Sequence, residues 1–492
     1  MGKQRHIFYN ALLLTGVNLL LRFASTSFQV FLSGKIGPEG IGLLQLVLSV
    51  GTLAMTVGMG GIRTATMYLS AETVGQRKDR NMVWVLSGCI AYSILLSSLV
   101  AILLYSFAPN IAVSRIGNSS TVNAIRLLAC FLPVNCLCGV MVGHFTGINR
   151  IGTLATVEVM EQLFFMLSTI LLSTFWAEND TAKACLSVII GSGLGVSFTL
   201  LTLLILKQRE HHPFGPRISM AKKLWETAVP LGIADDIKAG ISTTENLMVP
   251  KRLSLFLAAD NPLAAFGMVC GMVFPVLMFP AAIVFGLAEL LIPELARCNA
   301  AGSTARIQHL SERSLLFTLI YGCICGGILF LCADPLCMRL YKTQQAGEYL
   351  RWYALLAPML YCDAITDSMT KGLGQQKICV RYNIDTSALD VILLFILLPK
   401  YGMAGYFMSF FITHLINFLL SIRLLLKLIG HVISLRTVIW IILSAVIAVV
   451  LGCGLPLNLQ IVGFIIVFSI ILTLLGVVKR QDLFWLKGLI KL

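Results

Sequence analysis

The sequence predicts an all-α integral membrane protein of about fourteen transmembrane helices, arranged as two pseudo-symmetric six-helix lobes plus two C-terminal helices. Three observations predict it. Hydrophobic residues make up 57% of the 492-residue chain and charged residues only 12%, against about 25% charged residues in an average soluble domain. Apolar runs long enough to cross about 30 Å of hydrocarbon recur from end to end. Lys and Arg collect in alternate loops: those on the side of the N-terminus hold 24 and those opposite hold 9, while Arg22, Arg63, Arg126 and Lys238 fall inside apolar runs. That bias places both termini in the cytoplasm. The excess of 37 Lys+Arg over 23 Asp+Glu is thus membrane topology, and no nucleic-acid partner is expected.

In chain order, the first apolar run, residues 8–31, is too long for a signal-peptide core and lacks a small-residue cleavage site, so it is a retained span. Approximate spans are 8–33, 41–69, 82–107, 121–143, 152–176, 182–206, 222–249, 263–292, 314–333, 347–370, 379–398, 404–426, 436–453 and 459–478. No loop is long enough for a folded extramembrane domain. The loop 207–221 holds adjacent His211 and His212, which are expected to be solvated. The 14 Cys, among them Cys136, Cys138, Cys323 and Cys325, lie mostly in apolar segments as packing residues, with neither a disulfide framework nor a zinc spacing. The tail KRQDLFWLKGLIKL (479–492) suits a helix lying in the cytoplasmic interface.

An internal repeat organises these spans. GINR (147–150) leads from span 4 into span 5, as GLGQQK (372–377) leads from span 10 into span 11. Gly58, Gly60 and Gly61 interrupt span 2, and Pro275 and Pro280 interrupt span 8. Six spans is an even number, so the halves share one orientation about an axis along the membrane normal. The expected divisions are residues 1–216 (spans 1–6), 217–430 (spans 7–12) and 431–492 (spans 13–14 and the tail).

Polar residues inside the spans carry the functional signal. Residues 230–252, PLGIADDIKAGISTTENLMVPKR, hold Asp235, Asp236, Lys238 and Glu245. At 100° per residue Asp235, Lys238, Ser242 and Glu245 fall within roughly 80° of one another, with Asp236 off that stripe. Charges at this depth face a protein interior or a wet cavity. They read either as a buried Asp235–Lys238 ion pair or as one wall of a transport cavity. Span 1 has its own stripe: Thr15, Asn18, Arg22, Ser25 and Gln29 recur at spacings of three and four and share a face. Arg63 follows the glycine break of span 2, where it could instead snorkel to the interface. Span 5 adds Glu158, Glu161 and Gln162, and span 11 adds Asn383, Asp385 and Asp390. Arg22 and Arg63, with Asn18 and Gln29, could clamp an anionic head group, because guanidinium donates bidentate hydrogen bonds to phosphate oxygens and stays charged when buried. Asp235, Lys238, Glu245 and Glu161 could gate the cavity or hold a coupling cation or proton. No enzyme is expected. His414 is the one histidine within a predicted span and has no nucleophile or base near it in sequence, and no GxxxxGK[ST] loop supports direct ATP drive.

GPEGIGLLQLVLSV (37–50), GGIRTATMYLSAE (60–72), FGMVCGMVFPVLMFPAAIVFGLAELLIPELA (266–296), VPKRL (249–253) and GLGQQK together resemble the stage V sporulation protein B family. These are polysaccharide transporters of the multidrug/oligosaccharidyl-lipid/polysaccharide flippase superfamily, and the similarity covers nearly the whole chain. It departs from the family at Tyr68, where a basic residue is expected, and at Leu44, where an aromatic is. The resemblance implies two lobes in a V-shaped fourteen-helix fold. It also implies flipping or export of an undecaprenyl-pyrophosphate-linked saccharide for cell-wall or spore-cortex synthesis. In related lipid II flippases arginines of spans 1 and 2 line the cavity, where Arg22 and Arg63 lie here. Some relatives hold sodium among spans 7, 11 and 12, for which Asp235, Asn383 and Thr413 are the nearest candidates. The expected partners are the lipid-linked saccharide, the bilayer and a wall polymerase, with the chain acting as a monomer and no cofactor beyond a coupling ion. Two other functions compete: a cation-coupled antiporter of amphipathic cations, as in multidrug and toxin extrusion, and a non-transporting scaffold for a wall polymerase.

Overall fold

The computed structural model describes residues 2–75, 82–177, 180–208, 221–256, 261–430 and 433–476. His211, His212 and the tail 479–492 lie outside them. Among the described residues there is no strand. The chain runs α1 (Gly2–Met59), α2 (Ile62–Gly75), α3 (Met82–Asn110), α4 (Val122–Gly147), α5 (Ile151–Phe175), α6 (Thr181–Gln208) and α7 (Ala221–Leu253). It continues through α8 (Pro262–Met268), α9 (Phe274–Met278), α10 (Ala281–Ala300), α11 (Thr304–Tyr341), α12 (Gln344–Ala354), α13 (Ala357–Gly372), α14 (Gln376–Ile429), α15 (Leu435–Cys453) and α16 (Leu457–Leu474).

Each of the fourteen predicted spans falls on helix over its described residues, to within a few positions. Eight described segments are long and apolar enough to cross a membrane, and a bent pair makes a ninth. Two of the eight are double-length. α1 has 58 residues and α14 has 54, so at 1.5 Å per residue each is more than 80 Å of helix against a core of about 30 Å. Each is broken once, at Gly37 (φ 68°) before Pro38 and at Gly402 (φ 57°) three residues after Pro399. Only glycine takes those left-handed angles without strain, and each break turns one helix into two crossings. Span 2 breaks again at Gly60 and Gly61, both at positive φ. Span 8 passes through a π-helical turn, Val269–Val273, and then bends by 63° ahead of Ala281, where Pro280 lacks an N–H to continue the ladder. α7 is helical throughout, but its charges leave it outside the apolar set. The protein is an all-α, multi-pass membrane protein.

The chain forms two compact units. One comprises Phe31–Ser254 with Asp260–Gly267; the other comprises Met1–Val30, Leu255–Ala259 and Met268–Leu492. The expected divisions were runs of consecutive spans. In space, residues 1–30 group with the C-terminal helices, and α7 groups with α2 to α6.

The contacts within each unit explain this. In the N-terminal unit, α7 meets the start of α2 backbone to backbone. A Cβ on Gly61 would sit 2.3 Å from the Ala228 carbonyl oxygen, and one on Gly232 would sit 2.7 Å from the Gly60 carbonyl carbon. Further along, Thr243 donates to the Ser49 carbonyl (3.1 Å) and Asn246 to the Ser49 hydroxyl (2.9 Å). In lipid there is no hydrophobic drive between helices, so close glycine contacts and interhelical hydrogen bonds decide who packs with whom. In the C-terminal unit, Gln29 of α1 donates to the Gly271 carbonyl (3.0 Å). There α15 and α16 close on α11 through Leu319, Cys323, Ile441, Ala448, Phe464 and Phe468.

Candidate substrate and coupling sites

Each unit presents one polar set. In the C-terminal unit, Arg22 is half-buried in the first part of α1. Its guanidinium lies over the Phe285 ring, 5.6 Å from the centroid, and within electrostatic reach of Tyr361. Cation–π contact supports a charge without neutralising it, and among the described residues no carboxylate stands at ion-pair distance from Arg22. Phe285 and Tyr361 also line a cavity of about 160 Å³, whose polar wall is Asp363, Asp367, Asn383, His414 and Asn417. Asn417 donates to both Asp363 oxygens, at 3.0 and 3.3 Å. Asp367 is paired with Lys371 at 2.5 Å. His414 lies against Phe410 with centroids 4.1 Å apart. Beside this wall, buried Asp390 accepts from Ser409 (2.6 Å) and Thr413 (3.3 Å).

In the N-terminal unit, Arg63 stands exposed in the first turn of α2. α4 sets its position: a Cβ on Gly143 would lie 2.3 Å from the Arg63 carbonyl oxygen, so only glycine admits α2 this close. Glu158 and Glu161 of α5 share its electrostatic environment, and Glu161 accepts from Thr199 at 2.7 Å. On α7, Asp235 and Lys238 are both exposed and are not at ion-pair distance from one another, so the buried-pair reading of these two residues does not hold. Asp236, off the predicted stripe, buries one carboxylate oxygen without a hydrogen-bond partner among the described residues and lies within electrostatic reach of Tyr92, whose hydroxyl donates to the Gly60 carbonyl at the helix break (3.2 Å). Glu245 is half-buried.

The predicted residues therefore divide. Arg22 and Gln29 lie in the C-terminal unit, together with Asn383 and Thr413; Arg63, Glu161, Asp235, Lys238 and Glu245 lie in the N-terminal unit. The side chain of Asn18 falls outside the described set. Of the sodium candidates, Asn383 is on the cavity wall, Thr413 points to Asp390, and Asp235 belongs to the other unit. Sequence reasoning missed Asp363 and Asp367, whose signal was two carboxylates one helical turn apart inside the apolar run 347–370. It also missed a second intramembrane histidine: His144, just beyond predicted span 4, is fully buried in α4 and hydrogen-bonded to Ser70 (3.2 Å).

These features define a class: a polytopic, all-helical membrane protein of two units, each with ionisable residues inside its spans. The relatives narrow it. Residues 253–397 match the family model described as MatE. The chain is 21% identical over 419 residues to Stage V sporulation protein B of Bacillus subtilis (strain 168), covering 82% of this chain and 80% of that one. It is 23% identical over 227 residues to Sporulation protein YkvU of the same organism, covering 45% of this chain and about half, 51%, of that one. Among solved structures it is similar to the lipid II flippase MurJ in an inward closed conformation. The TM-score is 0.71 at 16% identity, covering 96% of this chain and 100% of that one. An inward-facing multidrug resistance MATE family transporter of the MOP superfamily follows, with a TM-score of 0.65 at 14% identity over 85% of this chain and 100% of that one. The chain shares the fold of these two structures, and the resemblance read from the motifs is matched by the sequence relatives.

Proposed function

We propose that this chain is an alternating-access flippase or exporter of an undecaprenyl-pyrophosphate-linked saccharide, serving cell-wall or spore-cortex synthesis from the bacterial cell membrane. The observation that carries this reading is Arg22: a guanidinium within the first span, held on the Phe285 ring and without a carboxylate partner among the described residues. A membrane protein keeps such a charge for an anion that visits it. The sequence relatives with sporulation names and the flippase fold support the same cargo class. Arg63, beside Glu158 and Glu161, is partly balanced, and its part is to add a second cation for the phosphate. The wall formed by Asp363, Asp367, Asn383 and Asn417 is suited to the coupling cation or proton. A wall polymerase as partner and action as a monomer belong to this reading.

The second reading, an extruder of amphipathic cations, draws on the MatE match and the two-carboxylate set around Arg63. Native mass spectrometry separates them. The purified chain is offered undecaprenyl-pyrophosphate saccharides and, separately, an amphipathic cation, with Arg22→Ala alongside. Selective retention of the pyrophosphate lipids, lost in Arg22→Ala, is the expected result; retention of the cation alone overturns it.

A further inference from the structure

A second cation lies inside the N-terminal unit, far along the chain from either proposed cargo residue. Arg126 of α4 places its guanidinium 5.1 Å from the Tyr105 ring centroid of α3, and its Nε is buried without a hydrogen-bond partner among the described residues. Tyr105 is one wall of a groove of about 440 Å³ between α3 and α4, lined along its length by Ile102 and Ser98 on one side and by Ala129, Cys130 and Pro133 on the other. The lining positions recur at three and four residues on both helices, so the groove runs about 10 Å from the Tyr105 level to the Ser98 level. Arg126 stands against Tyr105 at one end of the groove, four residues from the start of α4, or about 6 Å, while α3 runs on beyond Tyr105 through a π-helical stretch to Ile116. The cation thus lies beside one end of an apolar channel. No Asp or Glu occurs anywhere in residues 82–157, so nothing in α3, α4 or the segment joining them balances Arg126.

We infer that this groove binds an anionic phospholipid, with its phosphate on Arg126 and an acyl chain lying between α3 and α4. Charge selects the occupant. A zwitterionic lipid brings its own cation to the phosphate, whereas phosphatidylglycerol presents net negative charge to a guanidinium with no carboxylate at ion-pair distance among the described residues. The bound lipid wedges α3 against α4 and is independent of the transported cargo.

The test uses the full chain in detergent, offered equimolar phosphatidylglycerol and phosphatidylcholine and read by native mass spectrometry. Wild type should retain phosphatidylglycerol about five- to tenfold over phosphatidylcholine, the scale of one basic residue at a membrane surface. Arg126→Gln should erase the preference. Ser98→Phe, which fills the far end of the groove and leaves Arg126 in place, should lower phosphatidylglycerol retention and carries the test if Arg126→Gln does not fold. Arg115→Gln, a nearby exposed cation outside the groove, should change nothing. No preference in wild type, an equal loss in Arg115→Gln, or displacement by millimolar inorganic phosphate would each overturn the site. Retention of undecaprenyl pyrophosphate in place of phosphatidylglycerol would also overturn it, by giving the groove to the cargo.

Discussion

Arg22 and Asp363 show what single residues contribute in a low-dielectric core. An arginine at the centre of a span costs about 2.5–3.5 kcal/mol on insertion scales, and the Phe285 ring returns about a third of that, so the remainder is available to a ligand. Removing the guanidinium should weaken retention of a pyrophosphate lipid by about 10- to 100-fold, the scale of a charge-assisted pair. Arg22→Lys should recover part of it, because a point charge lacks the bidentate fork. Lipid titration of the two variants checks both. Among the described residues Asp363 is held by Asn417 alone at its two oxygens, so Asp363→Asn preserves shape and removes one negative charge from the cavity. Transport by Asp363→Asn should lose its dependence on sodium or proton gradient while lipid binding persists; unchanged gradient dependence in a vesicle assay would move the coupling site elsewhere. The arginines were legible in the sequence because a charge in an apolar run stands out by itself. That Arg63 shares its surroundings with Glu158 and Glu161 was not, since it depends on α2 and α5 being brought together through α4.

At the scale of elements, glycine does most of the specifying. The double-length helices α1 and α14 become crossings at Gly37 and Gly402, and the fourteen-segment pattern was readable because apolar length and breakers are local properties. Packing partners were not readable. Whether α7 joins α2 depends on Gly232 reaching Gly60 and Gly61, and sequence order favours no partner over another. Gly143→Val should therefore separate α2 from α4 and cost about 3 kcal/mol or more, beyond ordinary overpacking because the clash is with a backbone carbonyl. Gly402→Ala, which adopts a strained angle and meets the Phe256 ring at 2.8 Å, should cost about 1–3 kcal/mol. Thermal unfolding in detergent should rank wild type above Gly402→Ala above Gly143→Val, and a Gly143→Val midpoint equal to wild type would refute the close-approach argument.

At the scale of the whole molecule, the direction of transport depends on which ends of the helices face the cytoplasm, and charge is the only term that settles it. The loops on the N-terminal side exceed those opposite by 24 to 9 in Lys and Arg, and short basic loops resist translocation. Residue 118, between α3 and α4, should then lie outside, and residue 302, between α10 and α11, inside. Alkaline phosphatase fused after residue 118 should be active and a fluorescent protein there dark, with the reverse after residue 302. This arrangement also assigns the leaflet of the proposed phospholipid, since Arg126 lies at the same end of the bundle as residue 118: the lipid belongs to the outer leaflet. Reversed fusion signals would invert the topology, place that lipid on the cytoplasmic side and remove the basis for reading the cargo as moving outward.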